Sequence, residues 1–358
     1  MKKKIQLKVP RRKSKQQTPT RITNETVAEH RERILAGGRR FKYPHQYLRH
    51  KLVINALLIS LVALLVVVGF GWWQLYVARS TGDFMYRVTR ALPLPVASVD
   101  GENVRYSDYL MRYVPQERWL VKEGRMNLGG KEGQAQTDFI KRQTLDSVER
   151  NALAQKIAHE KNISVSEKEV QDVIDDLREM ANGTISQEVY NASARDGYGY
   201  SPDEFRHILH QSLLTQKVAF TIDTDAKTSK QAVETALAAN PTPTLDAVAT
   251  AFKQANPTKD MEFGESGLVP RDNRDGGRTQ MALKLKPGEV SKGFEATTGD
   301  GYYFVQLVEQ NNRQVSYRYI RIPLTTFDTQ FAAVKKEQKI KEYITIPQAQ
   351  NVTKKEQQ

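Results

Sequence analysis

The chain has 358 residues, no cysteine and a formal net charge of +13, so disulfide bonds are excluded. Residues 1–51 hold 16 Lys and Arg against 3 Asp and Glu, whereas the rest of the chain holds 38 of each sign. The positive charge is therefore a local feature of one end, and it does not predict a nucleic-acid-binding surface.

The basic segment, residues 1–51, is predicted to be a cytoplasmic tail. Residues 1–22 are charged and polar without apolar periodicity, which predicts disorder. One short helix is expected from Asn24 to Ala36, with Gly37 as its stop. Two interpretations stay open for this tail: it binds anionic lipid head groups, or it only sets the membrane topology.

An apolar run follows from Leu52 to Trp73 with no charged residue in it. About 22 helical residues reach roughly 33 Å, which is enough to cross a bilayer core. We therefore predict a single transmembrane signal anchor over residues 52–77. The flanking residue types fit the two membrane interfaces. These interface residues are Arg49 and Lys51 on one side and Trp72, Trp73 and Tyr76 on the other.

The orientation follows from the charge, because Lys and Arg next to a span favour the cytoplasmic side. The N-terminus is then cytoplasmic, and the chain after the span lies outside the plasma membrane. A buried core helix rarely runs this long without a charge. A cleaved signal peptide is disfavoured because the preceding segment is about 50 residues long and QLYVARSTG lacks a small-x-small cleavage site.

Helical patterns dominate the next segment. Residues 78–95 are predicted to be a linker, and residues 96–217 a hairpin with an Asp100-Gly101 turn followed by helices. Ser107-Asp108 is expected to cap the first helix, and residues 124–133 are expected to be a loop. The further helices expected here are Asp138 to Lys161, Ser166 to Met180 with a capping box, and Ser201 to Lys217.

Beyond Lys217 the pattern becomes mixed. The expected elements are a strand at Ala219 to Ile222, helices at Ser229 to Ala239, Leu245 to Ala255 and Thr279 to Leu285, a strand at Val315 to Ile322 and a helix at Phe327 to Ile344. No phosphate loop, dinucleotide fingerprint or metalloprotease helix occurs, so neither a cofactor nor a metal ion is predicted.

Three fragments carry a family resemblance in the right order. VASVDGENVRYSDYL, TLDSVERNALAQKIAHEKNISVSEKEVQDVI and SPDEFRHILHQSLLTQKV are similar to the N-terminal region of SurA-type chaperones. Further along, GESGLVPRD and LKPGEVSKGFEATTGDGYYFVQLVEQ resemble the parvulin prolyl isomerase domain. Together they resemble the membrane-anchored extracytoplasmic foldases of the SurA, PrsA and PpiD type.

The resemblance implies an α+β fold: a mostly helical chaperone region, a parvulin-like domain with a small antiparallel sheet, and a C-terminal helix that returns to the chaperone region. It places the chaperone region at residues 96–217 and the parvulin-like domain at 218–313. The returning strand and helix are placed at residues 314–346, and a disordered tail at 347–358.

The parvulin signature is incomplete in this chain. Parvulins have a histidine at the position that matches Tyr303, and another on the first strand, where no histidine occurs near Val218 to Ile222. No catalytic residue is therefore assigned. A peptide groove is the expected remnant. Its residues would be Leu268, Met281, Leu283, Phe294, Thr298 and Tyr303.

Two other patterns have plain structural interpretations. His207 and His210 have the spacing of a metal pair, but no third ligand is indicated nearby and surface histidines are favoured. The acidic cluster on the predicted helix after Ser166 is expected to be a solvated helix face. It consists of Asp172, Asp175 and Asp176.

The resemblance implies a chaperone outside the membrane that binds unfolded or nascent exported polypeptides, with a degenerate isomerase domain. Its partners would be those polypeptides and the lipid bilayer, without nucleic acid. Two alternatives stay open: an active peptidyl-prolyl isomerase, and a non-catalytic envelope scaffold with one fixed partner. A broad shallow groove would favour the chaperone, and a single defined apolar patch the scaffold.

Overall fold

A computed structural model describes residues 23–42, 44–124, 129–180, 183–239 and 244–347. The predicted disordered segment 1–22 lies outside the described residues, and so does the predicted disordered tail 347–358 except for residue 347. The chain divides into two units, Met1–Trp73 and Gln74–Gln358, and each is described by itself.

The first unit is helical. Helix α1 (Asn24–Lys42) begins where predicted but continues past Gly37, where its stop was expected. Helix α2 (Pro44–Trp72) contains the apolar run, and a π-helical turn (Trp73–Val77) continues it. The stretch His50–Val77 is long and apolar enough to cross a membrane by length and composition.

The second unit opens with a helical region that contains a three-stranded sheet. Its helices are α3 (Asp83–Ala91), α4 (Tyr106–Lys122), α5 (Gly130–Lys161), α6 (Glu167–Arg178), α7 (Gln187–Tyr198) and α8 (Pro202–Ile222). The strands between them are β1 (Pro95–Val99), β2 (Glu102–Arg105), β3 (Glu179–Met180) and β4 (Gly183–Thr184).

Local signals explain several of these boundaries. Ser166 and Ser201 both form capping boxes, with Glu169 and Glu204 respectively, as their spacing predicted. Asn162 ends α5 in the left-handed conformation with a φ of 55°, which Asn tolerates better than most residues. The two capping boxes fix the residues at which α6 and α8 begin.

The remaining elements form the second part of this unit. They are α9 (Thr224–Ala238), α10 (Leu245–Ala255), β5 (Glu262–Glu265), β6 (Val269–Pro270), α11 (Arg278–Ala282), β7 (Phe294–Glu295), β8 (Gly301–Gln310), β9 (Gln314–Pro323), α12 (Thr326–Lys336) and β10 (Ile340–Glu342). An antiparallel sheet has the order β5-β9-β8-β7, and β6 also pairs with β9. The molecule thus has the predicted α+β fold.

The C-terminal elements lie against the helical region. Strand β10 pairs antiparallel with β1, so the small sheet has the order β10-β1-β2. Phe327 and Phe331 of α12 belong to the same buried cluster as side chains of α4 and α5, and so do Ile344 and Ile346. The buried Asp223 carboxylate links the parts further, because it accepts hydrogen bonds from the backbone of residues 226, 325 and 326.

The predicted terminal helix, Phe327 to Ile344, is wrong beyond Lys336. Gln338 has a φ of 56°, which ends the helix, and the chain then turns into β10. The apolar residues Phe331 and Val334 therefore lie on α12, whereas Ile340 lies on the edge strand β10. Pairing with β1 satisfies backbone groups that a longer helix would have satisfied internally.

The strand predicted at Ala219 to Ile222 is also wrong, because α8 continues through it. Val218 is fully buried and Ala219 and Phe220 nearly so, and a short apolar run fits a buried helix end as well as a strand. Other boundaries also differ from the predictions. Helix α9 starts at Thr224 and not at Ser229, and α6 ends at Arg178 and not at Met180. Helix α4 starts at Tyr106 without a side-chain cap, α5 starts at Gly130 inside the predicted loop, and α11 ends at Ala282.

Candidate functional site

Tyr303 lies on β8, where it pairs with Phe294 of β7. Its ring is 4% exposed, with ring centroids 6.3 Å from Phe294 and 5.9 Å from Tyr319 on β9. Its hydroxyl donates a hydrogen bond of 2.8 Å to Asp300 Oδ2. The position singled out by the sequence resemblance therefore holds a buried phenol that donates to Asp300.

An arginine covers these aromatic rings. The Arg278 guanidinium carbon lies 5.0 Å from the ring centroid of Tyr303 and 4.8 Å from that of Tyr319. Its Nε donates to the Asp275 carbonyl over 2.8 Å, which holds the side chain in place. A cation over an aromatic face is favourable, and more so when it is partly desolvated. Arg278 thus covers part of the ring surface of Tyr303 and Tyr319.

Asp300 is the centre of a polar network beside these rings. It accepts hydrogen bonds from Thr298 and Tyr303, and Arg321 Nε lies 3.0 Å from its Oδ2. Burial raises the pKa of Asp300, but these hydrogen bonds and the Arg321 charge hold it below its usual value. Burial and the Asp300 hydrogen bond raise the pKa of Tyr303. Tyr303 is therefore a donor at neutral pH and no base.

The predicted groove residues share one environment only in part. Leu283 and Phe294 pack against the same small cluster beneath β8 and β9. Thr298 contacts Asp300, and Met281 lies on α11. Leu268 is 53% exposed between β5 and β6. The peptide-binding role of these residues remains a prediction.

The residues predicted at the membrane interface differ in their surroundings. Lys51, Trp72 and Trp73 are exposed, and the Arg49 side chain lies outside the described part. Tyr76 instead donates a hydrogen bond to the Pro95 carbonyl over 2.9 Å and packs edge-on against Tyr106. Tyr76 thus has a tertiary role in the second unit that its place in the sequence did not indicate.

The other motifs have ordinary partners. His207 Nε2 lies 3.2 Å from Asp108 Oδ1 on α4, and among the described residues no group of three or more His, Cys, Asp or Glu is placed to hold a metal ion. Asp172 pairs with Lys168, and Asp175 pairs with Arg178, on the surface of α6.

Sequence reasoning missed a half-open cleft between α3, α4 and the start of α8. Its volume is about 330 Å³, and apolar, aromatic and basic side chains line it. In α3, Met85 and Thr89 are buried whereas Arg87 and Arg90 are exposed. The lining residues are Asp83, Tyr86, Arg87, Arg90, Leu110, Met111, Val114, Pro115, Arg118, Gly199, Tyr200 and Glu204.

A hydrogen-bond network closes one end of this cleft. The Glu204 carboxylate accepts from the Tyr86 hydroxyl, from Arg90 Nη1 at 3.2 Å and from the backbone N–H of Ser201 at 2.8 Å. Burial raises the pKa of Glu204, but these hydrogen bonds keep it below its usual value. The charge of Glu204 is therefore compensated within the protein.

The fold defines an α+β protein in which a helical region and a small antiparallel sheet share one chain. A comparison with protein-family models matches residues 46–219 to the SurA-like N-terminal domain. Residues 46–219 are thus similar to this domain, which supports a foldase of the SurA, PrsA and PpiD type. A comparison with curated proteins gives no match.

Proposed function

We propose that this protein is a membrane-anchored chaperone that binds unfolded exported polypeptides outside the plasma membrane and has no prolyl isomerase activity. The observation that carries the proposal is the SurA-like N-terminal domain, which ties the chain to a family of folding factors. Residues 52–77 would be the anchor, and the basic tail would keep the N-terminus in the cytoplasm.

Anchoring suits this activity because a tether raises the effective concentration of a weak binding surface where clients emerge. The stretch His50–Val77 supports it by length and composition. Weak binding of many clients needs no energy input, only accessible apolar surface next to adaptable polar groups. The cleft between α3, α4 and α8 supplies both kinds of side chain.

The proposed lack of isomerase activity rests on the surroundings of Tyr303. The chain has no histidine after His210, so the two-histidine network that the resemblance implies cannot form. Arg278 covers the rings of Tyr303 and Tyr319, so these rings are not open to a substrate side chain. We therefore assign the sheet region a binding or structural role.

The test is an aggregation assay with the full chain in lipid nanodiscs. A chemically unfolded exported protein is diluted into buffer, and its light scattering is followed with and without the chain. We expect a clear, dose-dependent reduction, and empty nanodiscs are the control. Unchanged scattering at a several-fold molar excess would refute the chaperone proposal and favour a scaffold with one fixed partner.

A further inference from the structure

The cleft between α3, α4 and the start of α8 has an apolar floor and a basic rim. Leu110, Met111 and Pro115 of α4 are buried beneath it, and Val114 is half-buried beside them. At about 330 Å³ the cleft is large enough for a bulky side chain with its neighbouring backbone, and too small for a folded domain. Its shape therefore fits a short extended segment.

Two arginines on the rim lack an acidic partner. Arg87 on α3 and Arg118 on α4 are exposed, and neither has a carboxylate within 4.0 Å among the described residues. Arg90 differs, because its guanidinium is paired with Glu204. Arg87 and Arg118 thus present free N–H donors on two sides of the same apolar floor.

Gly199 lies beside the Arg118 guanidinium at the cleft. It ends α7 with a φ of 79°, a conformation that favours glycine, and a Cβ added there would lie 2.6 Å from Arg118 Nη1. The guanidinium therefore lies close to the Gly199 backbone, and a side chain at this position would require Arg118 to move. This contact places Arg118 at the rim of the cleft.

We propose that this cleft binds an extended segment of unfolded polypeptide in which an acidic side chain lies next to a bulky apolar one. The apolar side chain would fill the floor, and the carboxylate would accept charge-assisted hydrogen bonds from Arg87 and Arg118. The inference rests on the proposed chaperone function and adds a client preference to it. It makes the chain selective for acidic–apolar stretches of its clients.

One acidic residue of the cleft opposes this ligand. Asp83 lies one helical turn before Arg87 and lines the same cleft. It pairs with no cation within 4.0 Å among the described side chains. Its charge repels a bound carboxylate, so removing it is expected to strengthen binding of an acidic segment. A purely apolar site would not bind the acidic segment more tightly after this change, so the direction of the change in affinity distinguishes the two kinds of site.

The test measures fluorescence anisotropy of labelled peptides, amidated at the C-terminus, with the full chain in nanodiscs. One peptide carries Glu next to Leu or Phe, and its twin carries Gln at the same place. We expect about tenfold tighter binding of the Glu peptide by the wild-type chain, and a loss of this preference at high salt. Equal binding of both peptides, or no binding of either, would overturn the proposal.

Substitutions locate the binding to the cleft. In the double variant Arg87→Gln/Arg118→Gln the Glu preference should disappear, and in Asp83→Asn it should increase. Arg313→Gln is the matched control, because Arg313 is an exposed arginine on the β8–β9 turn far along the chain from the cleft. A preference that persists in the double variant would overturn the assignment, and thermal melting checks that the variants fold.

The aggregation assay, run on the same samples, separates this inference from the proposed function. A wild-type chain that suppresses aggregation without a Glu preference refutes the cleft specificity and leaves the chaperone proposal intact. A free-acid peptide without an acidic side chain is a further arm. If only that peptide binds tightly, the site recognises the C-terminal carboxylate of a chain, and the proposed binding of an internal segment is wrong.

Discussion

The guanidinium of Arg142 lies 3.6 Å from the carboxylate of Glu149, which is completely buried. Arg142 also pairs with Asp146 at 2.8 Å and with Glu342 of β10 at 2.9 Å, and Lys335 of α12 lies 2.8 Å from Asp146. Neither Glu149 oxygen has a hydrogen-bond partner among the described residues. A buried carboxyl group thus lies where α5 meets the C-terminal elements.

This arrangement predicts that stability falls as the pH rises. Burial raises the pKa of Glu149 from 4.5 to about 7, and Asp146 and Glu342 add to the effect against the opposing charge of Arg142. The folded state binds the proton more tightly than the unfolded state. Folding therefore loses about 3 kcal/mol between pH 4.5 and pH 7 and stays at this lower level above it.

The measurement is thermal unfolding of the full chain in detergent at pH 5 and pH 8. We expect Glu149→Gln to remove most of the loss between these two values, because the amide has no charge to bury. At pH 8 the variant should melt several degrees above the wild type. A pH dependence that the variant leaves unchanged would show that other groups cause it.

The contact of α12 with the helical region predicts a coupling between distant parts of the sequence. Phe331 is 4% exposed, belongs to the main buried cluster, and has the Arg150 guanidinium 4.6 Å from its ring centroid. Phe331→Ala should destabilise the SurA-like region by about 3–5 kcal/mol, through lost burial and a cavity.

Phe139→Ala is the matched control, because Phe139 lies on α5 with 53% of its surface exposed. Hydrogen exchange of the backbone amides of β1 and α5 should become faster in Phe331→Ala and stay close to wild type in Phe139→Ala. If both variants behave alike, α12 does not stabilise the helical region and the C-terminal elements pack there without consequence.

Elements whose signals lie within a few residues could be predicted from the sequence, whereas elements that depend on distant partners could not. Capping boxes at Ser166 and Ser201 involve residues only three positions apart, so they were predicted correctly. The end of α8 is a buried apolar run, which fits a helix as well as a strand. Strand β10 depends on its pairing with β1, which lies far away in the sequence. Helical periodicity predicted a helix from Phe327 to Ile344 but could not show that it ends at Lys336.

The candidate sites show the same limit. Tyr303 was singled out by its position in a sequence motif. The contact of Arg278 with its ring could not be predicted, because the two residues lie on different elements and form no local sequence pattern. The cleft was missed because its rim comes from α3, α4 and the residues before α8, and each segment alone resembles an ordinary amphipathic helix.

The charge distribution predicts the membrane orientation. Since the first 51 residues carry the whole net charge of +13, they should remain in the cytoplasm. Protease added to intact spheroplasts should remove the chain beyond about residue 80 and leave a protected N-terminal fragment. A tag at the N-terminus and one at the C-terminus identify the fragment, and a protected C-terminal tag would show the opposite orientation.

The surroundings of Tyr303 predict that the chain does not accelerate prolyl isomerisation. The uncatalysed barrier of about 18–20 kcal/mol comes from amide resonance, so catalysis needs a slot for proline and donors that favour a twisted amide. The Tyr303 hydroxyl already donates to Asp300, and Arg278 lies over its ring. Neither group is free to act on a substrate.

The measurement is cis/trans exchange of a proline tetrapeptide in the presence of the full chain, with a parvulin of known activity as positive control. We expect the uncatalysed rate. Arg278→Ala should uncover the rings of Tyr303 and Tyr319 without supplying histidines, so it should not raise the rate either. A wild-type rate above background that Tyr303→Ala abolishes would establish the active isomerase instead, since Tyr303 would then be acting on the substrate.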